Sequence, residues 1–225
     1  PTDCFWFPDY LADLDCLVDH YSPGVPVDLV GHSMGGNVAM LYAGVRPERV
    51  RRLINLEGFG MPETSASEAP TRYARWMDEM AALRRGELSF KAYDSLAAVA
   101  QRLMKTNPRL GADKAQWLAG HWSQESAPGQ WNILGEAAHK ISNAQLYRLD
   151  EVLACYARIQ APTLAVHAQH HSMQAWWGER YTLTMHHERL SVIPQLEIAC
   201  VGEAGHMLQH DQPRTVAGLV EGFLG

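Results

Sequence analysis

Along residues 8–21, Tyr10, Leu14, Leu17 and Tyr21 recur at the three-to-four spacing of one helix face, with Leu11 and Val18 beside them. Pro8 suits a first turn, and Asp13, Asp15 and Asp19 fall on the water-facing side. After the breakers Pro23, Gly24 and Pro26, residues 27–30 read as a short buried strand. A helix bearing Val38, Ala39, Leu41, Tyr42 and Val45 follows and stops near Pro47, and residues 50–56 form the next strand. Strand, helix and strand with such tight connections predict a parallel βαβ unit.

From residue 60 to 150 the strand-like runs vanish, and helical segments follow one another, separated by Gly86, Asn107-Pro108 and Pro128-Gly129. Ser65 and Glu68 have capping-box spacing ahead of a helix carrying Tyr73, Trp76, Met77 and Met80; residues 90–105 and 112–122 predict two more helices. Beyond Pro162 the alternation resumes, with strands over 163–168 and 196–201. A closing helix over 213–224 is apolar at Val216, Leu219, Val220 and Phe223. The predicted class is α/β: a mostly parallel sheet flanked by helices, with residues 1–59 and 151–225 as the core and 60–150 as an inserted helical cap.

The chain has 225 residues, 47% of them hydrophobic, which suits one large domain or a domain with an insertion. Its net charge of −6 arises from 25 acids and 19 bases without a basic run, so a nucleic-acid partner is not expected. Nor is a membrane span, because no stretch of about eighteen apolar residues occurs. The chain starts at Pro1 without a basic-plus-apolar signal, and a cytoplasmic location is the expectation. Cys4, Cys16, Cys155 and Cys200 are far apart and form no CxxC pair, which suits reduced thiols.

Candidate chemistry centres on Gly31-His32-Ser33-Met34-Gly35, a G-x-S-x-G pattern between a strand and a helix. In that context the serine occupies a sharp turn, and the glycines let strand and helix approach closely. Elsewhere the same five residues would be only a turn. Together with Gly36, Arg46-Pro47-Glu48-Arg49-Val50 and Ala204-Gly205-His206, this stretch resembles the α/β-hydrolase family, its esterases in particular, and the likeness covers nearly the whole chain.

The resemblance implies a Ser33 nucleophile, a His206 base after the last strand, and an oxyanion donor in the backbone N–H of Met34. A carboxylate after the penultimate strand would complete the family's usual triad. Here that loop reads Ala168-Gln169-His170-His171-Ser172 and holds none. Glu57, at the end of the strand after the elbow helix, is the expected substitute, since parallel strands bring their C-terminal ends to one rim. That placement resembles some haloalkane dehalogenases and lipases of the fold. Glu57 could instead cap a loop or pair with an arginine. Glu179, Glu188 and Glu203 are weaker candidates, the first two because they look helical and exposed.

His167, His170, His171, His186 and His187 lack metal-site spacing, and no metal or cofactor is expected. Trp76, Trp117, Trp122, Trp131, Trp176 and Trp177 suit either core packing or an acyl pocket under the cap. The family's first strands and second oxyanion donor would lie upstream of Pro8, in about 60 to 80 further residues at the usual length of a βαβ unit. The expected function is hydrolysis of a small carboxylic ester. Carbon–carbon bond hydrolysis by the same triad, or a non-catalytic assembly module, are the alternatives. The expected partners are the ester substrate and either a second copy or the missing N-terminal segment. An aspartate at the elbow, needed for epoxide or haloalkane chemistry, is absent.

Overall fold

The computed structural model describes residues 5–225. In chain order its elements begin with α1 (Phe7–Tyr21), β1 (Val27–His32), α2 (Met34–Val45), β2 (Val50–Leu56) and α3 (Ala69–Arg84). Then come β3 (Ala92–Tyr93), α4 (Leu96–Thr106), α5 (Ala112–Trp122), β4 (Ser123–Ala127), β5 (Gln130–Ile133) and α6 (Leu149–Tyr156). The last are β6 (Thr163–Ala168), α7 (Met173–Trp177), α8 (Leu183–Leu190), β7 (Leu196–Val201), α9 (Leu208–Asp211) and α10 (Pro213–Leu224). Two compact units result, one of residues 6–65 and 147–225, the other of residues 5 and 66–146.

The larger unit is built on a fully parallel sheet in the order β1-β2-β6-β7. Its central strands are apolar on both faces, as a sheet covered by helices on each side requires. Leu53 and Ala165 point into a cluster with Ala39, Met40 and Tyr42 of α2 and Val152 and Tyr156 of α6. Ile54, Leu56, Leu164 and Val166 point the other way, against Leu208 and Val216 of α9 and α10. Each fully buried Leu or Ile contributes about 1.5–3 kcal/mol through removal from water. All four strands end at one rim, and the candidate residues lie there.

Helix α1 departs from expectation. Leu17 and Tyr21 are exposed, at 53% and 79%, while Leu11, Leu14 and Val18 face the core. Polar partners set this rotation: Tyr42 Oη donates to Asp15 at 2.9 Å, Arg46 lies 3.6 Å from Asp15, and Arg49 pairs with Asp19. Two of the acids expected to face water therefore pair with side chains at and just beyond the end of α2. Of the cysteines, Cys16, Cys155 and Cys200 are free, and Cys4 lies outside the described residues. Among the described residues no helix is long and apolar enough to cross a membrane.

The smaller unit is not wholly helical. Its helices α4 and α5 pack through Val99, Ala100, Ala115, Leu118 and Ala119, and Trp131 and Ile133 of β5 pack against that core. Strand β5 pairs with β3 and β4 in an antiparallel sheet, whose hairpin turns at Pro128-Gly129 with φ 72° at Gly129. The predicted start of α4 near residue 90 is overtaken because Ala92 and Tyr93 pair with Asn132 and Trp131; the helix begins at Leu96, capped by Ser95 Oγ accepting from Ala98 N–H at 3.1 Å. A 3₁₀ turn, Ala66–Glu68, precedes α3 where the capping box was expected.

Candidate active site

Two neighbouring strands end in backbone corners of a kind that L-residues rarely adopt. Ser33 follows β1 with φ 54° and ψ −119°, and Glu57 follows β2 with φ 57°. Register brings them together, since His32 pairs with Leu56 and Ser33 N–H donates to Leu56 O at 2.8 Å. Glu57 N–H in turn donates to Val166 O at 2.9 Å, so the second corner is tied to β6.

The glycines explain the first corner, though not in the expected way. A Cβ on Gly31 would lie 2.3 Å from Gly35 O, and one on Gly36 would lie 2.3 Å from Asn55 Oδ1, so strand and helix meet at Gly31 and Gly36. A Cβ on Gly35 would meet nothing within 4 Å. Met34 opens α2, so its N–H is among the first-turn donors that a helix leaves without an internal partner.

The corners and the loop after β7 converge. His206 Nε2 lies 2.9 Å from Ser33 Oγ, and His206 Nδ1 lies 3.1 Å from Glu57 Oε2. The Glu57 side chain is fully buried, and its other oxygen accepts from Ala168 N–H at 2.6 Å. A buried carboxylate needs such donors, and it can only accept. Nδ1 of His206 therefore carries the proton, which leaves Nε2 as the acceptor for the Ser33 hydroxyl. This arrangement can draw a proton from Ser33 and hold the resulting imidazolium against Glu57.

Side chains outside the sequence reading hold the Glu57 corner. Asn55 accepts from Gly58 N–H at 2.9 Å and donates to Gly58 O at 2.8 Å, and Asn37 Oδ1 accepts from Gly60 N–H at 2.8 Å. Tyr181 Oη donates to Phe59 O at 2.6 Å. The signal that could have revealed this brace is the polar Asn55 at an otherwise buried strand position. His32 Nε2 lies 2.8 Å from His206 O, and the Trp176 ring packs edge-to-face on His206 with centroids 4.7 Å apart.

The remaining candidates lie elsewhere. Glu179, Glu188 and Glu203 are exposed. His167, His171, His186 and His187 form a group with neighbouring ring centroids 5.3–6.3 Å apart. Burial pushes the pKa of His186 down to about 3 and lowers those of His171 and His187. His170 is exposed. Among the described residues no group of three or more His, Cys, Asp or Glu is arranged to hold a metal ion. Trp117 and Trp122 are exposed, whereas Trp131 and Trp177 pack against buried clusters.

A parallel sheet with a serine at the corner between its first strand and the next helix defines an α/β protein of the nucleophile-elbow type. The sequence profile described as alpha/beta hydrolase fold matches residues 1–213. The chain belongs to the α/β-hydrolase fold family. A "Serine hydrolase-like protein" of Danio rerio is 24% identical over 181 residues, 75% of this chain and 52% of that protein. The chain thus spans about half the length of this curated relative. Among solved structures, a hypothetical protein of Pseudomonas aeruginosa has a TM-score of 0.81 at 23% identity, covering 98% of this chain and 73% of its own. The thioesterase domain from the curacin biosynthetic pathway has a TM-score of 0.77 at 23% identity, over 96% and 73% of the two chains. For E-2-(acetamidomethylene)succinate hydrolase the TM-score is 0.72 at 18% identity, over 99% and 75%. At these identities the structural likeness concerns the fold.

Proposed function

We propose that the protein is a serine hydrolase acting on carboxylic esters through an acyl-enzyme, with Ser33 as nucleophile, His206 as general base and acid, and Glu57 as the acid that orients it. The hydrogen-bonded path Ser33 Oγ–His206 Nε2 and His206 Nδ1–Glu57 Oε2, at 2.9 and 3.1 Å, carries this reading. Both distances fall within the reach that nucleophile and base need. The name of the zebrafish relative and the thioesterase among the structural neighbours support the same chemistry.

In the first half-reaction the Ser33 proton passes to His206 Nε2 while Oγ bonds to the acyl carbon, and Met34 N–H steadies the oxyanion. The carbon–oxygen bond to the alcohol then breaks, and the leaving oxygen takes the proton from His206. Water enters, gives a proton to His206 and attacks the acyl carbon; Ser33 leaves with that proton restored. Glu57 stays ionised throughout and stabilises the imidazolium.

A fluorophosphonate probe tests the reading. Wild type is expected to be modified on Ser33, and Ser33→Ala to remain unmodified. A folded protein that resists the probe contradicts the reading and favours an assembly role.

A further inference from the structure

We propose that His32 is a positioning residue that holds the main chain of the catalytic histidine in place, its Nε2–H donating to the His206 carbonyl. The inference rests on the serine-hydrolase reading above. Its starting point is the 2.8 Å contact between His32 Nε2 and His206 O, with the two rings 5.0 Å apart and tilted by 41°.

The topology explains why such a tie is needed. Strands β1 and β7 are the two edges of the sheet, with β2 and β6 between them, so the loop after β7 must reach back across about 14 Å of rim at the usual strand spacing. Two further anchors of the loop lie on its own side. His170 N–H donates to Ala204 O at 3.0 Å, and Gly205 N–H donates to Asp211 at 2.8 Å. At the far end, His206 meets Ser33 and Glu57 through its ring nitrogens. Of these, the bond to Ser33 is broken and remade as the proton moves. The tie to the His206 carbonyl exchanges no proton, so it persists through every step.

His32 is also the residue before Ser33. One rigid corner, fixed by the Gly31 and Gly36 contacts, sets both the Oγ that attacks and the Nε2 that holds the base. Any shift of the loop relative to the nucleophile must therefore break the His32 bond. Burial lowers the pKa of the His32 ring below the ordinary histidine value, which keeps it uncharged at neutral pH. That matters because His206 becomes positive during the reaction, with Glu57 as its counter-charge, and a second imidazolium 5.0 Å away would oppose it.

Glutamine provides the discriminating substitution, because its side-chain nitrogen sits about where Nε2 of histidine does and donates without titrating. In His32→Ala, ester turnover and the rate of fluorophosphonate labelling at Ser33 are expected to fall about 10- to 100-fold, the effect of a displacement near 1 Å. KM should stay within about twofold and far-ultraviolet circular dichroism should be unchanged, while His32→Gln recovers most of the rate. Alanine and wild type labelling equally fast overturns the proposal, as do equal losses in folded Ala and Gln variants. Should His32→Ala fail to fold, the Gln variant decides alone: near-wild-type rates support the donor role, and a loss as large as 100-fold contradicts it. Wild type that carries no label on Ser33 is a distinct outcome, which rejects the hydrolase reading and the His32 role with it.

Discussion

The chain turns two corners at one rim, at Ser33 and at Glu57, and holds them by different means. Glycine braces the Ser33 corner: Gly31 and Gly36 remove the Cβ atoms that would strike Gly35 O and Asn55 Oδ1, and helix α2 starts at once. The Glu57 corner has close glycines of its own, Gly58 and Gly60, but depends as well on polar side chains: the neighbouring Asn55, and Asn37 and Tyr181 from farther along the sequence. A corner held by local glycines leaves a short contiguous pattern. A corner held by dispersed hydrogen bonds leaves almost none, although it positions a group equally well.

If the two corners serve one reaction, removing the charge at the second should nearly equal removing the nucleophile at the first. Glu57→Gln is expected to lower kcat on the order of 10⁴-fold, because the amide can donate where only an acceptor serves and so favours the wrong His206 tautomer. Steady-state ester hydrolysis beside circular dichroism checks this, and an active, folded variant moves the acid elsewhere. Next, Gly31→Ala should destabilise by about 3 kcal/mol or more in urea titration, since its Cβ would lie 2.3 Å from a backbone oxygen, whereas Gly35→Ala, facing open space, should be near neutral. Equal costs at the two glycines would refute the account of the first corner.

Asn55→Ala leaves the Gly58 N–H and C=O without the Asn55 amide in a buried place, at a cost of about 1–3 kcal/mol, and turnover should drop with it. A graded effect of similar size is acid sensitivity at the second corner. Tyr181, which holds Phe59 O, also contacts His186 at 3.0 Å, and the folded state lowers the His186 pKa from 6.5 to about 3. The unfolded chain therefore takes up the proton first, so this stability is complete above pH 6.5 and is lost as pH falls towards 3. The slope approaches about 1.4 kcal/mol per pH unit for this one histidine. Urea midpoints measured between pH 7 and 5 should decline in wild type and less so in His186→Gln.

The same contrast accounts for what was legible in the sequence. All four parallel strands could be read from short apolar stretches beside turn residues; burial on both faces makes this clearest in β6, with Leu164-Ala165-Val166, while β7 was legible although much of it is exposed. Ser33 and His206 were visible through contiguous motifs, and Glu57 through its place at a strand end and the lack of a carboxylate after β6. The β4–β5 hairpin was not visible: Ser123-Gln124-Glu125-Ser126-Ala127 has little strand preference, and its pairing is decided by Trp131 and Ile133 packing on α4 and α5. The rotation of α1 was hidden too, because its ion pairs with Arg46 and Arg49 involve residues well over twenty positions away. The tie from His32 to His206 spans 174 positions, beyond the reach of any local pattern.

The most direct test of a single catalytic path through Ser33, His206 and Glu57 is acid-quenched peptide mass spectrometry after mixing with p-nitrophenyl acetate. The account predicts one acetyl group on the peptide containing Ser33, released with a burst of nitrophenol in wild type and strongly suppressed in Glu57→Gln. Ester turnover without acetyl on Ser33, or acetyl accumulating equally fast without the Glu57 carboxylate, would contradict it.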